Sequence, residues 1–145
     1  MKNIIIRKIE KEEIPEVVEL WYETSIKAHD FISNKYWKTN KVEMQKKYIP
    51  NSETYVAEKD KIIVGFISLM DDYLAAIFVK PEEQGKYIGT TLLNYIKDSK
   101  KKLKLKVYSK NIKSIEFYKA KGFSVQSESI DENTDEKELL MEWVK

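Results

Sequence analysis

A strand that runs through a glycine-bearing turn into a helix leaves a row of backbone N–H groups aimed outward, and residues Tyr73 to Phe123 read as such a unit. Tyr73-Leu74-Ala75-Ala76-Ile77-Phe78-Val79 is an apolar run of strand length. Pro81-Glu82-Glu83-Gln84-Gly85-Lys86-Tyr87-Ile88-Gly89 is a proline-started turn with two glycines, and a helix opens at Thr90. A second strand, Leu103 to Tyr108, and a second helix, Asn111 to Ala120 closed by Gly122, follow. The first N–H groups of a helix have no partner within it, and the positive end of the helix dipole lies behind them. Such a place binds an anion, phosphate before others.

The rest of the chain builds a sheet around this unit. Asn3 to Ile9 reads as a strand with Ile4 and Ile6 on one face and Ile5 on the other. Lys11 to about Ala28 is helical, because Ile14, Val17, Val18, Trp21 and Ser25 share a stripe and Pro15 sits near the start. His29-Asp30-Phe31-Ile32-Ser33 breaks the helix, and a second helical piece runs from about Asn34 to Tyr48, ended by Pro50. Glu53 to Glu58 and Lys61 to Met70 form a hairpin, with Gly65 marking a bulge or a close backbone approach. Asp71-Asp72 then turns the chain into the Tyr73 strand. Phe123 to Ile130 and Lys137 to Val144 are the last strands, joined by the acidic loop Asp131 to Glu136. The order predicts an α+β fold, a mixed sheet with helices on its faces.

With 145 residues the chain is expected to form one domain, residues 1–145, around one continuous core. Hydrophobic residues make up 42% and charged residues 34%, which excludes disordered and fibrous classes. The longest apolar runs fall short of the roughly 20 residues that cross a bilayer. The opening Met1-Lys2-Asn3-Ile4-Ile5-Ile6-Arg7 alternates into Arg7-Lys8-Ile9-Glu10 and reads as a strand, not a signal peptide. No cysteine is present, so disulfides, thiolate metal sites and a cysteine nucleophile are excluded, no metal is invoked, and a cytoplasmic setting is expected. A net charge of +2 does not by itself point to nucleic acid. Arg7 is the only arginine, so phosphate must be held by lysines and backbone N–H groups. Lys97, Lys100, Lys101, Lys102, Lys104 and Lys106 form the densest basic run, read first as a solvated helix end.

The turn Gln84-Gly85-Lys86-Tyr87-Ile88-Gly89 resembles the acetyl-CoA pyrophosphate loop of the GCN5-related N-acetyltransferase (GNAT) family, Gln/Arg-x-x-Gly-x-Gly/Ala, with Tyr87 in place of the middle glycine. A tyrosine there keeps its N–H but prefers negative φ and adds a ring. Asn111-Ile112-Lys113-Ser114-Ile115-Glu116-Phe117-Tyr118-Lys119-Ala120-Lys121-Gly122-Phe123 resembles the second signature, Asn-x-x-Ala-x-x-Phe-Tyr-x-x-x-Gly-Phe, with Ser114 for alanine. Trp21 to Ser33 is similar to the small bacterial YjaB-type branch. The resemblance implies the acyl-CoA N-acyltransferase fold: a twisted, mostly antiparallel sheet of about seven strands flanked by about four helices, with two central parallel strands splayed apart.

It also implies an N-acetyltransferase that moves the acetyl group of acetyl-CoA to a primary amine, on a small molecule, a protein lysine or an N-terminus, by direct attack. Backbone groups at Ile77 and Val79 would grip pantetheine, and Phe78 or its neighbour would donate an N–H to the thioester oxygen. Gln84, Gly85, Lys86, Tyr87, Ile88, Gly89 and Thr90 would hold the pyrophosphate, with Lys80 or Lys86 reaching an outer phosphate. Tyr118 would protonate the departing thiolate. Asn111 would cap its helix and touch the coenzyme. The Tyr73 strand has Ala75 and Ala76 where many relatives carry a glutamate base, which leaves His29, Asp71, Asp72, Tyr73 or Tyr108 as candidates. Two other readings stand: a non-catalytic CoA-binding or regulatory module, and an acyltransferase on aminoacyl-tRNA that would use the lysine run. The resemblance further allows a homodimer through the terminal strands.

Overall fold

The computed structural model describes residues 3–145, so Met1 and Lys2, the lead-in to the first strand, lie outside it. Seven strands form one open sheet in the order β1-β2-β3-β4-β5-β7-β6. They are β1 (Ile4–Lys8), β2 (Glu53–Lys59), β3 (Ile62–Met70), β4 (Tyr73–Val79), β5 (Lys102–Tyr108), β6 (Ser124–Asp131) and β7 (Glu136–Val144). Helices α1 (Ile14–Ala28) and α2 (Asn34–Glu43) cover one face, and α3 (Ile88–Lys97) and α4 (Ile112–Ala120) the other.

Each face has its own core. Val17, Val18, Leu20 and Trp21 of α1 and Trp37 of α2 bury against Val56, Ile63, Phe66 and Ala76. Ile88, Leu92, Leu93 and Ile96 of α3 and Ile115 and Tyr118 of α4 bury against Val64, Ile67, Leu69, Leu103, Leu105 and Met141. Strand β3 lies between these layers, which explains its unbroken apolar run. Each such side chain taken fully out of water contributes on the order of 1.5–3 kcal/mol.

Local chemistry sets the turns and pleats. Asp60 and Lys61 both take left-handed backbone, φ 53° and 67°, which suits the twist of a tight hairpin, so β3 begins at Ile62 and not Lys61. Val64 is the extra residue of a bulge opposite Ala57 and Glu58. Gly65 also meets the expected close approach, because a Cβ there would lie 2.9 Å from the Phe78 carbonyl oxygen. A second bulge leaves Ala75 unpaired between Leu74 and Ala76, and it turns Leu74 to the α3 side and Ala76 to the α1 side.

Helix boundaries also differ from the sequence reading. The second helix gives way after Glu43 to a π-helical turn, Met44–Tyr48, whose wider winding sequence periodicity does not reveal. The start of α1 is a short 3₁₀ turn, Lys11–Glu13, held by the lone arginine: Arg7 donates to both oxygens of Glu13, at 2.8 and 2.7 Å, and to Glu58 at 3.0 Å. Helix α3 opens at Ile88, not Thr90, because Tyr87 already serves as its N-cap.

Candidate active site

Strands β4 and β5 are parallel and meet only at Tyr73 and Lys104, where the Lys104 N–H donates to the Asp72 carbonyl at 2.9 Å. Beyond that point they part. Each is held along its far edge, β4 by β3 and β5 by β7, so the gap is built in. The Lys80 N–H donates to Val64 on β3, and by strand alternation Phe78 also faces β3. Ile77 and Val79 therefore turn their backbone groups into the gap, and the neighbours of Phe78, not Phe78 itself, present N–H groups there. Gln84 Nε2 donates to the Val79 carbonyl at 3.0 Å and ties the following turn to the end of β4.

That turn forms the expected cradle. Gly85 has φ 80°, and Tyr87, despite its side chain, has φ 66° with its ring 71% exposed. The tyrosine adopts the left-handed backbone that a glycine takes freely, and its ring lies outside. The first bond of α3 is Thr91 N–H to Tyr87 carbonyl, 2.9 Å. The N–H groups of Ile88, Gly89 and Thr90 precede it and are left for an anion. Lys86 lies 3.7 Å from Glu83, which also takes Lys59 at 2.7 Å.

A continuous cleft of about 1260 Å³ runs from this turn through the gap to the α1 and α2 face. Of the residues anticipated for coenzyme or catalysis, Lys80, Lys86, Asp71 and Asp72 lie outside its walls and the others border it. The two aspartates sit in the turn at the closed end of the strands, where the Asp71 carbonyl accepts from Lys100. Tyr118 is buried under the gap, its ring between Phe117 and Phe123 at 5.5 and 5.6 Å. Its hydroxyl has no hydrogen-bond partner among the described residues. Burial, and secondarily the Tyr73 phenol, push its pKa far up.

Asn111 and His29 join the two faces at the cleft wall. Asn111 Oδ1 accepts from the Ser114 N–H at 3.3 Å and caps α4, while Asn111 Nδ2 lies 3.3 Å from His29 Nε2. His29 Nδ1 is 3.1 Å from the Ser25 carbonyl, which only accepts, so Nδ1 carries the proton and Nε2 accepts from Asn111. The ring stacks on Trp37 at 5.0 Å, and burial lowers its pKa. Both nitrogens are engaged, and taking a substrate proton would mean giving up Asn111.

The far end of the cleft is aromatic: Tyr36, Trp37, Tyr73 and Tyr108 line it, with Phe31 packed against Tyr108 at 5.8 Å. The Tyr108 hydroxyl donates to Asp131 at 2.6 Å. Thr24 Oγ1 and Trp37 Nε1 are buried here with no hydrogen-bond partner among the described residues. One carboxylate also reaches this end, and sequence reasoning missed it: Glu138 of β7, whose side chain is 15% exposed. Its signal was the alternation of β7, where Leu139, Met141 and Trp143 face the core and Glu138 faces the other way.

Comparison with known proteins agrees with this architecture. A family model described as an acetyltransferase (GNAT) domain matches residues 15–136. The peptidyl-lysine N-acetyltransferase YiaC of Escherichia coli (strain K12) is 34% identical over 140 residues, 96% of each chain. YjaB of the same organism, also named a peptidyl-lysine N-acetyltransferase, is 30% identical over 128 residues, 87% of this chain and 86% of its own. The solution structure of apo-form YjaB from Escherichia coli superposes with TM-score 0.86 at 27% identity, covering 98% of both chains. The PaiA N-acetyltransferase of Thermoplasma acidophilum, solved in complex with coenzyme A, shares the fold with TM-score 0.82 at 24% identity over 99% of both. Neither the binding-only nor the aminoacyl-tRNA reading is favoured by these relatives. The chain belongs to the GNAT family and is an N-acetyltransferase.

Proposed function

We propose that this protein transfers the acetyl group of acetyl-CoA to the side-chain amine of a lysine in a protein. The observation that carries the reading is the gap between β4 and β5, which opens toward an anion cradle on the α3 side and an aromatic pocket on the α1 side. The pyrophosphate would rest on the N–H groups of Gly85 to Thr90. Pantetheine would lie in the gap against the backbone of Ile77 and Val79, completing the sheet as a strand does.

The aromatic pocket suits the long methylene arm of lysine, with a cation at its tip favoured by ring faces and the nearby carboxylate. The deprotonated amine attacks the thioester carbon, forming the N–C bond. An N–H of Ile77 or Val79 stabilises the oxyanion. The C–S bond then breaks, and the sulfur leaves with the electron pair and takes the Tyr118 proton. Burial keeps that phenol protonated until the thiolate forms. The second proton leaving nitrogen restores Tyr118 through cleft water. His29 holds Asn111, and with it the start of α4. The absence of cysteine fits a reducing cytoplasmic setting.

Thiol release from acetyl-CoA in the presence of lysine peptides, blocked-lysine peptides and polyamines tests the reading. Turnover is expected with free lysine side chains, and Tyr118→Phe is expected to lower kcat by about 100-fold with acetyl-CoA affinity retained. Turnover unchanged by blocking the lysines would overturn the acceptor assignment.

A further inference from the structure

Strand β4 carries no carboxylate, yet an ammonium with a pKa of about 10.4 must lose a proton before it attacks. Of the acidic side chains bordering the cleft, Glu83 lies at the phosphate turn bonded to Lys59, and Glu138 lies at the aromatic end. Glu138 is opposite Tyr108 across β5 and β7, so the two side chains stand on the same face of the sheet. That is the face covered by α1 and α2, where an acceptor would enter. From this placement we infer that Glu138 is the general base of acetyl transfer, supplied from β7 in place of the strand that flanks the thioester.

The inference rests on the acetyl-transfer reading and names the group that completes it. The other cleft groups are poor acceptors. Tyr36, Tyr73 and Tyr108 are phenols whose pKa burial raises, so they keep their protons. His29 has both nitrogens bonded. Asp131 takes the Tyr108 hydroxyl and does not border the cleft.

The surroundings of Glu138 suit the task. Lys106 of β5 approaches Oε1 at 3.7 Å, Asp131 of β6 repels its charge, and Tyr73 of β4 and Tyr36 of α2 both feel that charge. Burial is the largest influence and Asp131 adds to it, so its pKa lies above the usual carboxylate value although Lys106 lowers it. A carboxylate lifted in this way is a better base. The first ammonium proton passes to Glu138 through a water and on to solvent. The nitrogen lone pair so freed forms the N–C bond.

The test compares wild type, Glu138→Gln and Glu138→Asp on a lysine peptide, measuring kcat from pH 5.5 to 9 together with acetyl-CoA Kd. The expected result is a loss of at least 30-fold in kcat for Glu138→Gln, with unchanged Kd. The acidic limb of the pH profile should vanish, and Glu138→Asp should restore part of the rate and the limb. A rate within threefold of wild type, or a lower rate with the acidic limb intact, would overturn the assignment. A wild type with no turnover on any amine, though it binds acetyl-CoA, would overturn the acetyl-transfer reading and the role of Glu138 with it.

Discussion

Tyr87 sits with φ 66° at the mouth of the phosphate cradle, the one place where the loop departs from its family pattern. A left-handed backbone costs a side-chain-bearing residue about 1–2 kcal/mol, and glycine escapes it at an entropic cost of about 0.5–1 kcal/mol. Since the ring is exposed, no packing is lost by removing it. Tyr87→Gly is therefore expected to raise the melting temperature slightly, by a few degrees at most. The same change lets phosphate approach the Tyr87 N–H, so acetyl-CoA affinity should rise or hold. Thermal melts and calorimetric titration check both, and a clear fall in melting temperature would show that the backbone there is relaxed. The departure was visible in the sequence, but its conformation was not. The preference of one tyrosine for negative φ yields to a turn fixed by Gln84 on Val79 and by the start of α3.

At the scale of elements, β3 controls the gap through the place where it touches β4. A methyl at Gly65 would lie 2.9 Å from the Phe78 carbonyl oxygen, a backbone atom that cannot swing aside. Gly65→Ala is expected to push β4 outward, cost about 1–3 kcal/mol as overpacking does, and weaken acetyl-CoA binding because Ile77 and Val79 move with the strand. Denaturant melts and coenzyme titration read the two effects, and an unchanged affinity would show that the gap tolerates movement of β4. These elements were largely legible. The strand Tyr73–Val79, the cap at Asn111 and both signatures follow from local pattern and turn chemistry, which act over a few residues. Glu138 and the closure of the α1 face were not, because both depend on long-range pairing, β7 onto β5 and α1 onto β3 and β4. Periodicity shows that Glu138 faces away from the core but not what it faces.

Over the whole molecule, the two cores are separate layers, and the His29 to Asn111 contact is a polar link between helices on opposite faces of the sheet. It ties the end of α1 to the cap of the helix that carries Tyr118. The link needs a neutral imidazole, because a protonated Nε2 would face the Asn111 amide with donor against donor. Burial lowers the folded-state pKa of His29 below the usual value of 6.5, so the unfolded chain takes up the proton more readily. The stability contributed by the neutral ring is whole above pH 6.5 and is lost as pH falls through the lower folded value. Glu13, held down chiefly by its Arg7 hydrogen bonds, adds a second loss only further down, below pH 4.5. His29 is the only histidine, so one imidazole resonance should titrate below 6.5 in the folded protein. Melting temperature and acetyl-CoA affinity should decline together in that same interval. In His29→Phe the ring stack on Trp37 is kept and the titrating group removed, so the step that begins below pH 6.5 should disappear while the lower, Glu13-linked step stays. A step that survives in this variant would assign the acid sensitivity to some other group and leave the clasp a packing contact alone.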